Sequence, residues 1–520
     1  MTLLKQLLER YTQSQILLVG SSALIIAFTF LIMNNLWILV FAAIFGAIAF
    51  VFFLNKPKET FIVLMVVRLI IDLLWVIPFS VGGFGLLEAF SGGSTVACVL
   101  LIIIVFKDNF ERHPSVHFFL FWNAFLFIHM AFTPFSPMIL SEFFRIFSPV
   151  LVYALASSFL TDDDAPFIME LFAYAGAIPL LTSLYHLATG QMNTPDMMVH
   201  GIKRLVGGYQ NLRHAGLVML IITNLGLLQF IKAYETDRKL WIVIWGGYTG
   251  AAFLCLYLTQ IRSSLLPFVM GIPIFFALTR RKNVMYGLTI IGVAAIAVSP
   301  SIQDRFKDII LIFTIDSEDT QALNAVGSGR YGIWSGSWEE FQKRPFLQRM
   351  IGLGYNGHVA LTSATFLAFD KISGRNYDPH NDYLFLIYNF GPIGAIAYTG
   401  MAVQAMIAAV KVTNINFSRE HRDIAAICLV IMFGLMINNT MSNGTVKRVT
   451  VGWYFWCFAG LVFGMLRSYE KKFQEQMDKR PKKRKRLHSR HPSRDPRRPS
   501  KKIAQPGYPR GSFHPHPQNK

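Results

Sequence analysis

The sequence is short of charge. Asp, Glu, Lys and Arg make up 15% of its 520 residues, where a soluble chain carries roughly 25%. Carboxylates are the scarcer sign, 30 against 49 Lys and Arg. A chain this poor in charge is not built for water, so the soluble globular class is excluded. Cysteine is scarce too: Cys98, Cys255, Cys428 and Cys457 all fall in apolar runs, where Cys behaves as a small hydrophobe. Neither a disulfide nor a metal site is read from them. There is no Walker motif, no Cys/His metal spacing, no carboxylate-rich DxD-type motif and no nucleotide fingerprint. No internal repeat suggests the inverted halves of a transporter.

What the sequence has is apolar length. It is 53% hydrophobic and 14% aromatic, and runs of about 18–20 apolar residues recur, each able to cross a hydrocarbon core as a helix. The reading is an all-α polytopic membrane protein of about fourteen spans, near 15–33, 36–54, 61–80, 93–106, 116–133, 138–159, 166–188, 214–231, 240–259, 264–279, 284–299, 382–410, 423–440 and 451–467. The run from Gln15 follows Lys5 and Arg10 without a cleavage site, and reads as a retained first span. Residues 1–467 form the membrane domain. Residues 468–520 hold 17 Lys/Arg against 4 Asp/Glu, a net of +13 in a chain of +19. That basic, Pro- and Ser-rich tail reads as disordered, pinned on the cytoplasmic side and drawn to anionic headgroups rather than to nucleic acid. Lys and Arg of the short loops put the N-terminus on that side as well.

Two loops are then left outside: 189–213 and a large one, 300–381. Basic residues there run against the topological trend and need a reason. They are Arg204 and Arg213, Arg262 in the turn Gln260-Ile-Arg-Ser-Ser264, and Arg330. Any one alone reads equally as an Arg snorkelling to the headgroups; the functional case rests on several sharing one face with His380. In the large loop Tyr331, Trp334, Trp338 and Phe341 recur at helical spacing. They read either as a helix lying on the membrane surface or as a small packed subdomain. Gly352, Gly354 and Gly357 read as close turns where backbone approaches a ligand. Arg68 and Asp72, four apart inside a span, read as a structural ion pair, and Arg145 and Glu170 read similarly. His129 and His186 read as satisfied core residues.

The large loop closes on Asp-Pro-His-Asn-Asp-Tyr-Leu at 378–384. His380-Asn-Asp-Tyr-Leu384 followed by Asn389-Phe-Gly391 and Gly394 resembles the His-Asn-x-x-Leu and following Gly pair of the O-antigen ligase and polysaccharide polymerase superfamily. Arg330 with Trp334, then Gly352-Leu-Gly354, resembles that family's Arg before a Gly-x-Gly. Ile261-Arg-Ser263 resembles its Arg-Ser turn, and Arg204 to Asn211 its earlier outer loop. The likeness covers about 200–400. It departs at Asn211-Leu-Arg213, where the family often has Asn-Pro-Asn, and at Asn389, where it often has an acidic residue.

The resemblance implies a GT-C-like bacterial inner-membrane glycosyltransferase with no metal and no cofactor, working with inversion at the periplasmic face. Its donor would be an undecaprenyl-pyrophosphate-linked glycan. His380 would be the base for the acceptor hydroxyl, or position the acceptor; a His with a pKa near 6.5 is suited to that. Arg262 and Arg330, with Arg204 and Arg213 behind them, would hold the pyrophosphate, as bidentate guanidinium suits phosphate. Asn381, Asp382, Trp334, Gly352 and Gly354 would support the site, with Asp382 read as a cap on the helix that follows. The leading expectation is a polymerase joining lipid-linked repeat units into O-antigen or exopolysaccharide, with a chain-length regulator as a candidate partner. The alternative is a ligase moving finished glycan to lipid A-core or to protein. A competitor of another class is a flippase for lipid-linked saccharides.

Overall fold

A computed structural model describes residues 55–76, 80–81, 84–109, 116–134, 136–191, 204–287, 290, 330–365, 378–415 and 418–479. The spans expected at 15–33 and 36–54, most of that at 284–299, most of the loop 300–381 and the tail beyond residue 479 lie outside the described residues.

In chain order the helices are α1 (Pro57–Ile71), α2 (Leu86–Asn109), α3 (Val116–Phe132), α4 (Pro137–Phe159), α5 (Ala165–Ala175), α6 (Ala177–Ala188), α7 (Leu212–Glu235), α8 (Lys239–Thr259), α9 (Arg262–Leu278), α10 (Arg330–Gln342), α11 (Phe346–Ile351), α12 (Gly357–Thr365), α13 (Asp382–Asn414), α14 (Arg419–Met441) and α15 (Val449–Lys479). A two-residue antiparallel pair, Ser80–Val81 with Phe84–Gly85, is the sole strand structure among the described residues. The protein is all-helical in architecture.

Among the described residues seven helices are long and apolar enough to cross a membrane: α4, α5 with α6 as one unit, α7, α8, α13, α14 and α15. Shorter apolar helices lie within α2, α3 and α9. The described residues therefore carry part of the expected fourteen. The expected span 61–80 is cut short: α1 has 15 residues, only about 22 Å of helix, and passes into a 3-10 turn at Asp72–Val76.

The apolar window of α15 is 94% buried, which makes it the central post of the bundle. Trp453 and Trp456 are fully buried on it. Trp456 meets Tyr153 of α4 and Tyr398 of α13 edge-on, with centroids at 5.3 and 5.2 Å. Gly460 and Gly464 let α15 touch the backbone of α4, since a Cβ at either would strike Tyr153 O or Leu160 O. Close approach at small residues spaced by four drives helix association where lipid supplies no hydrophobic force.

Polar side chains tie the bundle elsewhere. His129 lies with its two ring nitrogens 3.0 Å from Phe125 O and 2.8 Å from Ile351 O, a buried core histidine joining α3 to α11. Arg68 and Asp72 pair at 3.1 Å. Arg145 pairs with Glu142 at 3.0 Å, while Glu170 takes Lys232 at 3.7 Å. The four cysteines are free and buried.

α13 breaks at Gly391 (φ 65°, ψ 177°), before Pro392. Two carbonyls of the broken turn accept from the Gly-x-Gly segment: Leu353 N–H donates to Tyr388 O at 2.9 Å and Gly354 N–H to Asn389 O at 2.8 Å. Gly352 has φ 84° and Gly391 φ 65°, and a Cβ on either would run into the other segment's backbone. Gly352 thus admits a helix backbone, which accounts for a glycine there without a ligand.

One edge of α10 also faces inward, while Trp338 of its aromatic stripe is 39% exposed. Phe341 is 3% exposed and its ring lies 5.4 Å from that of Tyr388. Ser337 Oγ and Tyr388 Oη share a hydrogen bond of 3.0 Å. The Phe341 edge of α10 therefore packs against α13, as expected of a packed subdomain.

Candidate active site

The site gathers at one end of the bundle, where α7, α9, α10, α13 and α15 begin and α14 ends. Asn381 is the N-cap of α13: its Oδ1 accepts from Tyr383 N and Leu384 N at 2.9 and 3.1 Å, satisfying two of the amides a helix start leaves free. Its Nδ2 donates to Thr440 O at 2.9 Å. The cap is thus Asn381, and the expectation for Asp382 is corrected. Asp382 is fully buried and points away from its own first turn. Its Oδ2 accepts from Gly444 N at 2.8 Å and Val446 N at 3.0 Å, so it folds the segment between α14 and α15.

His380 sits just before the cap with φ 50°. A non-glycine residue rarely takes that left-handed conformation, and only where surroundings hold it. Three contacts hold it. Trp334 Nε1 donates to Pro379 O at 2.6 Å. His380 N–H donates to Asp378 Oδ1 at 3.3 Å. Arg213, in the first turn of α7, reaches His380 Nδ1 at 2.7 Å. Asn211 caps that turn, accepting from Arg213 N at 2.9 Å.

Guanidinium has only donors, so His380 Nδ1 is the acceptor in that bond, and the proton of the neutral ring is on Nε2. Burial, and then the charge of Arg213, lower His380 to about 4. The ring is therefore neutral at pH 7.

Arg330 opens α10 and donates to Met441 O, a carbonyl at the end of α14. Burial and then Arg262 lower its pKa, and its charge bears on His380 in turn. Arg262, the exposed first residue of α9, is thus in electrostatic reach of Arg330. Arg204 is half-buried beside Leu205, whose N–H donates to Leu258 O at 3.0 Å. Arg213, Arg330 and His380 therefore converge, and Arg262 stands behind Arg330.

The sequence reading passed over a second layer. Lys447 pairs with Asp378 at 2.9 Å, meets His358 Nε2 at 3.1 Å, and lies 4.4 Å over the Phe385 ring. Asn389 Oδ1 accepts from His358 N at 2.9 Å and faces its Nδ1 at 3.2 Å. Burial, then Lys447, lower His358 to about 4. Burial works to raise Asp378, but Lys447 and His358 bring it well below the carboxylate range. A signal for Lys447 and Arg448 was present. Both fall between the last two expected spans, on the side where basic residues needed a reason. Nothing in the sequence joins His358 to them. Among the described residues no three of His, Cys, Asp and Glu gather in metal-ligating geometry.

A polytopic helical membrane protein with guanidinium groups converging on a neutral histidine is the class that fold and site define. Residues 248–399, under a third of the chain, match the model of the family described as O-Antigen ligase, and that stretch is similar to the O-antigen ligase and polymerase superfamily. The matched stretch takes in Arg262, Arg330 and His380 but not Arg213. A comparison with curated proteins gave no match.

Proposed function

We propose that the chain is a membrane glycosyltransferase that uses a polyprenyl-pyrophosphate-linked glycan as donor at the outer face of the bacterial inner membrane. The observation that carries this is the contact of Arg213 with His380 Nδ1, with Arg330 alongside, at one end of the helices.

The chemistry fits in order. The bond to break joins the sugar's anomeric carbon to a pyrophosphate oxygen. Charge develops on that oxygen as it leaves, and preset guanidinium groups in a poorly hydrated site stabilise it. Arg213 and Arg330 take that role, with Arg262 at the rim. The acceptor hydroxyl attacks the anomeric carbon and gives its proton to His380. In the resting arrangement His380 cannot take it: Nδ1 already accepts from Arg213 and Nε2 carries hydrogen. Donor binding resolves this. When Arg213 turns its N–H onto phosphate, the Nδ1 lone pair is released. The base is armed only with donor in place, which limits wasteful hydrolysis.

Polymerisation of lipid-linked repeat units is the leading reading. The ligase reading is favoured by the name of the matched family. Both are tested in a host lacking the gene, carrying wild type or His380→Ala at equal membrane abundance. Loss of surface glycan in the variant is expected. An accumulating single lipid-linked repeat unit means polymerase, and an accumulating long lipid-linked chain means ligase. Full display in His380→Ala would remove the base from the mechanism.

A further inference from the structure

A cavity of about 640 Å³ opens beside the site, lined among others by Arg68, Arg145, Gln210, His214, Lys447 and Arg448. It shares a wall with the His380 seat. Asp378 is that wall: Oδ1 accepts the His380 N–H, Oδ2 pairs with Lys447, and the residue lines the cavity.

Three of the four Lys and Arg residues that line it are in ion pairs. Arg68 has Asp72, Arg145 has Glu142 and Lys447 has Asp378. Arg448 forms no ion pair among the described residues, and its Nε is buried with no hydrogen-bond partner. A buried guanidinium N–H without an acceptor is costly, and an anion entering the cavity removes that cost. A guanidinium fork fits phosphate geometry, and Gln210 adds a neutral amide. The cavity also lies at the end of the bundle where a lipid-borne phosphate would arrive.

We propose that this cavity is a second anion seat, taking the phosphoryl group carried by the acceptor glycolipid while Arg213 and Arg330 hold the donor's pyrophosphate. The assignment to the acceptor rests on the glycosyltransferase reading; the anion seat does not. Two lipid-borne phosphates on either side of Asp378 would bring an acceptor sugar against His380. The same phosphate chemistry is offered by a phospholipid headgroup, and the test separates the two sources.

The full chain is placed in nanodiscs of phosphatidylcholine and titrated with inorganic pyrophosphate by calorimetry. Two sites per chain are expected. Arg448→Gln should leave one, and Arg330→Gln should remove the other. Gly92→Leu is the second way to close the cavity without touching a charge: Gly92 lines it, and a Cβ there meets nothing within 4 Å. It too should leave one site, and it keeps the test valid if Arg448→Gln fails to fold. In the host, both cavity variants should lower surface glycan tenfold or more at matched abundance.

Unchanged stoichiometry in both variants overturns the seat. A wild-type count that falls to one in phosphatidylglycerol nanodiscs, with normal glycan in both variants, makes it a headgroup site and overturns the acceptor assignment. One site lost in the variants, with no transfer by wild type from any lipid-linked glycan, overturns the transferase reading and leaves the anion seat standing.

Discussion

Arg213 holds the Nδ1 of His380 at 2.7 Å across 167 residues of sequence. The contact does three things. It fixes the ring tautomer, it occupies the nitrogen a base would use, and with burial it depresses the histidine's pKa to about 4. A histidine in water would be half protonated near pH 6.5. This one stays neutral well below that, so transfer should hold steady as pH falls from 7 to 5.5.

Arg213→Gln tests that relationship. Loss of one preset donor to a developing oxyanion costs about 100- to 1,000-fold in rate. The residual activity should also begin to fall at a higher pH than in wild type, because the His380 pKa rises toward its ordinary value. A pH–rate profile of purified protein measures both. A lower rate with an unmoved acid limb would assign Arg213 to the phosphate alone.

Asp382→Asn separates structure from chemistry. Asp382 accepts two backbone N–H groups, and hydrogen bonds of this kind contribute about 0.5–1.5 kcal/mol each. Thermal melts in detergent should show a clear drop in Tm, with activity per folded molecule within about twofold of wild type. Lost activity at unchanged Tm would make Asp382 an acid–base partner of His380.

Gly391→Ala and Gly352→Ala each place a Cβ in the other segment's backbone at a positive φ. The conformational cost alone is about 1–3 kcal/mol, and the overlap adds to it. Membrane abundance should collapse for both. Gly250→Ala, with nothing within 4 Å of its Cβ, should behave as wild type.

Lys447→Met removes the cation between Asp378 and His358. Breaking a buried pair on one side costs about 3–5 kcal/mol; these side chains keep 13% and 21% exposure, so a smaller loss is expected. The carboxyl of Asp378 is depressed in the folded protein, so this pair stabilises above the ordinary carboxylate pKa, and that contribution is lost as pH falls below about 4. Acid melts should show that loss in wild type and not in Lys447→Met. Asp378→Asn combined with Lys447→Met should recover part of the stability.

Composition and apolar run length were enough to determine the solvent of this protein, since neither depends on which helix packs where. The motif His380-Asn-Asp-Tyr-Leu384 was enough to point to the family, because its residues are contiguous. Roles that depend on distance were not legible. Asn381 and Asp382 are neighbours in sequence, and either could cap a helix. Only the packing of the segment 442–448 decides that Asp382 turns to Gly444 and Val446. Gly352 looks like a ligand glycine until the break at Gly391 comes against it. Lys447, His358 and Arg448 meet Asp378 and its cavity only because α12, α13 and α15 converge. Long-range electrostatics acts through space, and the sequence carries no record of that space.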